Sequence, residues 1–463
     1  MAGTLQITDG TTTINLLNTS AGLYIEDGGW KPAVAQEDEN GDYLDMIEVI
    51  TCTWTETNDD DRAETLKDIK RLDRKAREHW RKRLVDGWVW LVANTHSETD
   101  TRYAIIKSID IKELDPRHWA ANGPVKVTLV IKHILWWGIA PNGTPTTVVN
   151  AETIYNKSDG DGDNWVTVAA ADVTGDAPAI AIITVDPDTN GHFSHLTIAR
   201  KRGSIADLNV FNPWLNADDE LDRTHRADSL GPDDVRAIFT ADSVGRWAIA
   251  AADIPEYQGE YLIYLVSLSS ASGGEKAKVY ATGYNATTSP NELKSIAGIY
   301  QISSGGTWQI WTNLGNVQIP YKQFVPNMTY ADNFEISLYV DYDSATVYAY
   351  AIALIPIDDA VFDVRSAKNN SLAGVTNNLV IDGRYETIYT VNGSGNLTTY
   401  ASPGPFGRFI TLEPNQNNRL YFFRHGNFDS LTSERVDPVT LLNYSAAVTV
   451  QMIPRYTSLR GND

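Results

Sequence analysis

The chain has 463 residues, 42% of them hydrophobic and 10% aromatic, and a formal net charge of −21. That length has room for roughly two to four domains, and that composition excludes intrinsic disorder. The acidity excludes general nucleic-acid binding, because like charge repels a phosphate backbone; it is compatible with lining a channel through which DNA slides without sticking. Cys52 is the one cysteine, so no intrachain disulfide forms, which fits a reducing compartment. The first ten residues carry no basic segment followed by an apolar one, and no signal peptide is expected. The longest apolar runs, such as residues 179–183, are too short to span a bilayer, so membrane insertion is not expected either.

In chain order, the first block covers residues 1–145 and holds eight of the 13 tryptophans. Its one helical signal runs over 60–84, where Leu66, Ile69, Leu72, Ala76, Trp80 and Leu84 recur every three or four residues. That spacing makes a narrow apolar stripe. Asp59, Asp60 and Asp61 precede it and Arg81, Lys82 and Arg83 close it, so both ends complement the helix dipole. Asn58 and Asp59 are the capping candidates. Residues 62–83 sum to +6 within a chain of −21, which leaves −27 for the rest. Two readings follow: a solvated helix packed on its own sheet by the stripe, or a basic face that meets an acidic face of a neighbouring copy. Arg74, Lys75, Arg77, Arg81, Lys82 and Arg83 are the candidate interface residues. No base-reading motif surrounds them, and sequence-specific nucleic-acid binding is not expected.

The remaining signals have period two. Residues 102–111 alternate, and Val125, Val127, Leu129, Ile131 and Leu135 share one face against Lys126, Thr128 and Lys132, as in a strand with one buried side. The Pro- and Gly-containing run near 138–145 reads as a linker. Residues 146–365 hold evenly spaced strands, a pair of them over 334–355 around a turn at Asp341–Ser344, as a jelly roll would. Residues 366–463 open on a polar stretch and return to strands, with Val448, Val450 and Met452 on one face. Clusters of Gly, Asn, Asp, Ser and Pro separate the strands. The expected fold class is mostly β: a multi-domain β-sandwich with an N-terminal sandwich carrying one amphipathic helix, a jelly roll and a C-terminal β region.

Chemistry is sparse. The eight histidines form no metal or catalytic signature; His192 and His195, three apart in a strand, fall on opposite faces. No zincin, P-loop, nucleophile-elbow or paired-cysteine motif is present. Cys52 alternates like a buried strand residue and reads as an inert core thiol. Asp159, Asp161 and Asp163 form either a plain acidic turn or a loop that holds Ca2+, but Asn164 and Ala170 stand where an EF-hand needs Gly and Glu. No pair of carboxylates is singled out for glycoside hydrolysis, so no enzyme and no required cofactor are expected. Trp165, Trp214, Trp247, Trp308 and Trp311 lie in the second block; most read as core. Trp308 and Trp311, three apart, are the candidate glycan contacts.

Several stretches carry a family resemblance. The opening LQITDGTTTINLL with GGWKP, the later WVWLVA with RYAIIKSIDI, and VTLVIKHILWWG resemble the N-terminal domain of distal tail proteins of long-tailed phages. GDAPAIAIITV, HFSHLTIARK, GEYLIYLVSLSSA and WTNLGNVQIP resemble the jelly-roll, carbohydrate-binding-like modules inserted in such proteins. FGRFITLEPNQNNRLYFF and VTVQMIPRYTSLRG also look typical of the group. The resemblance implies a virion tail protein, assembled in the host cytoplasm. It implies a homohexameric ring around the tail channel, with other tail and baseplate proteins as partners and host-surface glycans as ligands of the jelly roll. A tail-tube subunit and a carbohydrate-binding adhesion protein are the alternatives.

Overall fold

Alternating burial along strands builds most of this chain. In the strand Val125–His133, every second side chain from Val125 onward is buried while Lys126 is exposed. The computed structural model describes residues 4–17, 23–37, 43–54, 59–82, 88–94, 101–114, 125–134, 137–138, 144–155, 163–187, 195–227, 235–250, 252–269, 276–284, 293–296, 300–301, 310–319, 333–341, 346–357, 360–365, 377–400, 406–425 and 445–456. Over these the protein is mostly β, with several antiparallel sheets and two helices, as a multi-domain β-sandwich.

The N-terminal unit contains β1 (Thr4–Thr8), β2 (Thr13–Asn15), β3 (Leu23–Glu37), β4 (Tyr43–Trp54), α1 (Asp59–Lys82), β5 (Trp90–Asn94), β6 (Arg102–Leu114) and β7 (Val125–His133). Its strands lie in the order β2-β1-β5-β6-β7-β4-β3. β6 joins the two halves: Arg102–Ile105 pair with β5, and Ile106 onward pairs with β7 across two register shifts. Such irregularities bend a strand, and here the bend lets one strand serve both halves. The β1–β2 turn uses Gly10 at φ +85°, where a Cβ would be strained. The core takes Leu5, Ile7, Ile50, Cys52, Trp54, Leu91, Val127 and Leu129 from the strands, and Ile69, Leu72 and Ala76 from α1. The thiol of Cys52 is thus fully buried, as its alternation required.

The next strands are β8 (Thr146–Tyr155), β9 (Trp165–Val168), β10 (Ala177–Pro187) and β11 (His195–Gly203), followed by the short α2 (Ile205–Val210). Then come β12 (Trp214–Asn216), β13 (Thr224–Ala227), β14 (Val235–Phe239), β15 (Ser243–Ala250), β16 (Gly259–Ser269), β17 (Lys276–Tyr284), β18 (Leu293–Ile296), β19 (Tyr300–Gln301), β20 (Ile310–Ile319), β21 (Asn333–Asp341) and β22 (Val347–Pro356). The chain returns through β23 (Ala360–Arg365), β24 (Asn377–Asp382), β25 (Thr387–Asn392), β26 (Leu397–Tyr400), β27 (Phe406–Gly407), β28 (Thr411–Leu412), β29 (Asn417–His425) and β30 (Ser445–Arg455).

These strands make two nested jelly rolls. In one, β8-β30-β10-β24 form a sheet that faces β9-β29-β11-β23. In the other, β14-β22-β16-β20 face β15-β21-β17-β18. Numbered along the chain, the eight principal strands of each lie 1-8-3-6 in one sheet and 2-7-4-5 in the other, the double Greek key of a jelly roll. The second is inserted into the connection between β11 and β23, which pair directly as a hairpin would, His195 opposite Arg365. A hairpin whose ends already meet accepts a long insertion at small entropic cost.

Strand pairing crosses the 365/366 boundary and bears on what the sequence left open, whether residues 366–463 fold alone or complete the jelly roll. β24, β29 and β30, from the expected C-terminal region, complete the sheets begun by β8–β11, and β10 sits between β24 and β30. The jelly roll expected over 146–365 is instead two: an outer one split between both ends of the segment, and an inner one between α2 and β23. Sequence alternation marks each strand but is silent on its partner, which is why the split was not visible. The two share a wall. Along β29, Leu420 and Phe422 enter the first core while Tyr421 and Phe423 enter the second, and along β11 Ile198 and Ala199 divide the same way.

Candidate assembly surface on the N-terminal helix

The helix forms where its period required. Ile69, Leu72 and Ala76 are fully buried, Leu66 and Trp80 half-buried. Arg62, one turn earlier on the same stripe, is buried as well. Leu84 and Asn58 lie outside the described residues, as does the side chain of Asp59, so the expected cap does too.

Two salt bridges and a main-chain hydrogen bond fasten α1 to its own sheet. Lys75 Nζ meets Asp9 Oδ2 at 2.7 Å. Asp9 also accepts the amides of Thr11 and Thr12, at 2.9 and 2.6 Å, closing the β1–β2 turn. Burial alone would raise the Asp9 carboxyl; the Lys75 ammonium and the two amides outweigh it and hold it at about 2. Arg77 grips Asp73 one turn back at 2.8 and 2.9 Å and reaches Asp110 of β6 at 2.8 Å. Asp73 in turn accepts the amide of Ile109 at 2.7 Å. Arg71 donates to the hydroxyl of Thr12 in the β1–β2 turn. Lys82 pairs with Glu78 on the helix, acid before base at i,i+4, the favourable order.

The six candidate interface residues thus separate. Lys75 and Arg77 hold the helix on its sheet, and Lys82 is engaged along the helix. Arg74 and Arg81 are exposed, together with Lys67 and Lys70. Arg83 lies outside the described residues. The sequence did not point to Asp9 or Asp110 as anchors; the Asp9-Gly10 turn was the one available signal for the first.

The glycan candidates fare differently from expectation. Trp311 is 6% exposed, in the core of the inner jelly roll. Its ring meets Trp214 edge-on at 5.6 Å, and Trp214 meets Phe423 of β29 at 5.8 Å. Rings three apart in a strand fall on opposite faces, which offered one of them to solvent; Trp311 is instead packed against Trp214 and Tyr264. Trp308 lies outside the described residues. So do Asp159 and Asp161 of the Ca2+ candidate. Partial burial raises the Asp163 carboxyl against the pull of Arg419. Among the described residues no three His, Cys, Asp or Glu side chains gather as metal ligands, and no helix is long and apolar enough to cross a membrane.

No family model matches the chain, and no curated protein matches it. Among solved structures, the SPP1 Dit protein, described as a paradigm of the hub adsorption apparatus in phages infecting Gram-positive bacteria, aligns at 9% identity over 98% of this chain and 99% of that one, with a TM-score of 0.26. The phage P2 baseplate in its activated, Ca-bound conformation aligns at 12% identity over 75% and 98%, with a TM-score of 0.19. The carbohydrate-binding and GH10 modules of the Clostridium thermocellum endo-1,4-β-D-xylanase 10B, complexed with xylohexaose, align at 12% identity over 43% of this chain and 30% of that one, with a TM-score of 0.21. Superpositions at these scores do not establish a common fold, and none of the three assigns this chain to a family.

Proposed function

We propose that this protein is a structural subunit of a phage tail, a distal-tail or baseplate component that assembles with copies of itself into a homohexameric ring and works without bond-breaking chemistry. The observation that carries the reading is the outward face of α1. It is held rigidly from beneath by Ile69, Leu72, Lys75 and Arg77, and it presents Arg74 and Arg81 from a chain that is otherwise strongly acidic. In a cyclic assembly each interface joins two different surfaces, and a basic patch on an acidic molecule supplies one half of a complementary pair. The sequence resemblance to distal tail proteins supports the same reading and gives the ring its six copies. Other tail and baseplate proteins are then the neighbours along the axis, and the virion is the location. The jelly rolls would face outward, where contact with host-surface glycans is a role for them; with Trp311 in the core, residues other than Trp311 make that contact.

The test reverses the outward charges alone. Arg74→Glu with Arg81→Glu should lower the ring fraction of the purified chain by roughly tenfold or more while far-UV circular dichroism stays unchanged. Rings that persist undiminished in this variant would remove α1 from the interface.

A further inference from the structure

We propose that the N-terminal sandwich and the outer jelly roll are clasped into one rigid bracket by an aromatic and main-chain joint, so that the jelly rolls stand at a fixed angle to α1 instead of swinging on the linker near residue 140. Separate sandwiches on one chain move relative to each other by default unless a large apolar contact joins them. Here three contacts of different kinds converge. Trp88, two residues before the start of β5, stacks on Tyr385 in the β24–β25 turn, with ring centroids 5.2 Å apart and planes 10° from parallel. The pair is buried with Ile105 and Ile134 into a small core to which Trp80 of α1 and Trp90 of β5 contribute.

A little further on, Trp137 and Tyr456 exchange two main-chain hydrogen bonds, at 3.1 and 3.0 Å, as a short antiparallel bridge. Arg102 of β6 lies over the Tyr456 ring at 4.5 Å. The bridge continues into each body. Gly138 pairs with Tyr103 of β6, and Arg455 pairs with Gly175, where φ is +104° and a Cβ would stand 2.4 Å from the Arg455 carbonyl oxygen. Rotation between the two bodies would have to break a ring stack and two main-chain bonds together. α1 is part of the joint, because Trp80 and His79 meet Trp88 edge-on at 5.8 and 6.0 Å. The face of α1 and the direction of the jelly rolls are therefore set by the same residues. This geometry holds whether or not the chain forms a ring.

The experiment is a distance distribution between spin labels at Lys112→Cys on β6 and Ser394→Cys in the β25–β26 turn, both exposed, in the full-length chain. Cys52 is buried and stays unlabelled. The parent protein should give a single narrow distribution. Tyr385→Ala with Tyr456→Pro, which removes the stack, the ring under Arg102 and the Tyr456 amide of the bridge, should broaden it at least twofold, and Tyr385→Phe, which keeps the stack, should leave it narrow. A broad distribution in the parent overturns the proposal, and so does a double variant as narrow as the parent. If the double variant does not fold, the width in the parent still decides. A narrow parent distribution from a chain that fails to form rings would uphold the clasp and sink the ring, so the two claims fail separately.

Discussion

Asp9 has two tasks: it closes the β1–β2 turn through the amides of Thr11 and Thr12, and it receives Lys75 from α1. Its carboxyl is depressed to about 2. A carboxyl with a depressed folded-state value contributes stability that is fully present above its unfolded value near 4 and lost as pH falls through about 2. Asp9→Asn should therefore release α1 at neutral pH, at a cost of about 1–2 kcal/mol, and the gap from the parent should close between pH 4 and pH 2. Hydrogen exchange of the α1 amides measures this locally; equal protection in both proteins at pH 7 would contradict it. Trp311 teaches the opposite lesson at the same scale. Its neighbours in sequence gave a correct strand, yet its environment is fixed by Phe423, more than a hundred residues away, through Trp214. No local pattern reports such a contact.

Elements were the most legible level. The stripe of α1 was read from its spacing, and Ile69, Leu72 and Ala76 are buried as it required. The alternation of β7 and β30 appears in their burial. Topology was less legible, because a hydrophobic alternation names a strand without naming its partner; β10 bonds β30, some 270 residues on, while looking like any other strand. The division of labour on α1 was also hidden, since Lys75 and Arg77 differ from Arg74 and Arg81 only in what lies beneath them. That difference is measurable. Lys75→Glu with Arg77→Glu should lower exchange protection along α1 in the monomer itself, by roughly tenfold, because each faces a carboxylate on β6 or the β1–β2 turn. Arg74→Glu with Arg81→Glu should leave that protection intact. Identical behaviour of the two pairs would mean that the helix is not anchored as described.

Over the described residues the protein has an N-terminal seven-stranded unit and two jelly rolls, with two different kinds of junction. The N-terminal unit meets the outer jelly roll at the clasp around Trp88 and Tyr385, and the outer jelly roll meets the inner one through a continuous core that contains Ala199, Tyr421 and Phe423. The second junction makes the insertion part of the scaffold. Replacing residues 204–359 by a two-residue turn leaves the β11–β23 hairpin able to close, yet it uncovers Tyr421 and Phe423, at about 1.5–3 kcal/mol of lost burial each. The shortened chain should precipitate or associate beyond the assembly state of the parent on size exclusion, and Tyr421→Ser with Phe423→Ser should return it to that state in soluble form. A shortened chain that is soluble without those changes would show that the shared wall does not hold the two jelly rolls together.

The central claim is that the chain functions by closing on copies of itself. Mass photometry of the purified full-length protein, with negative-stain images of the same sample, tests it most directly. The account predicts closed rings of six subunits with the jelly rolls at a constant outward angle. A particle that keeps the mass of one chain at high concentration, both alone and with its neighbouring tail proteins, would contradict it.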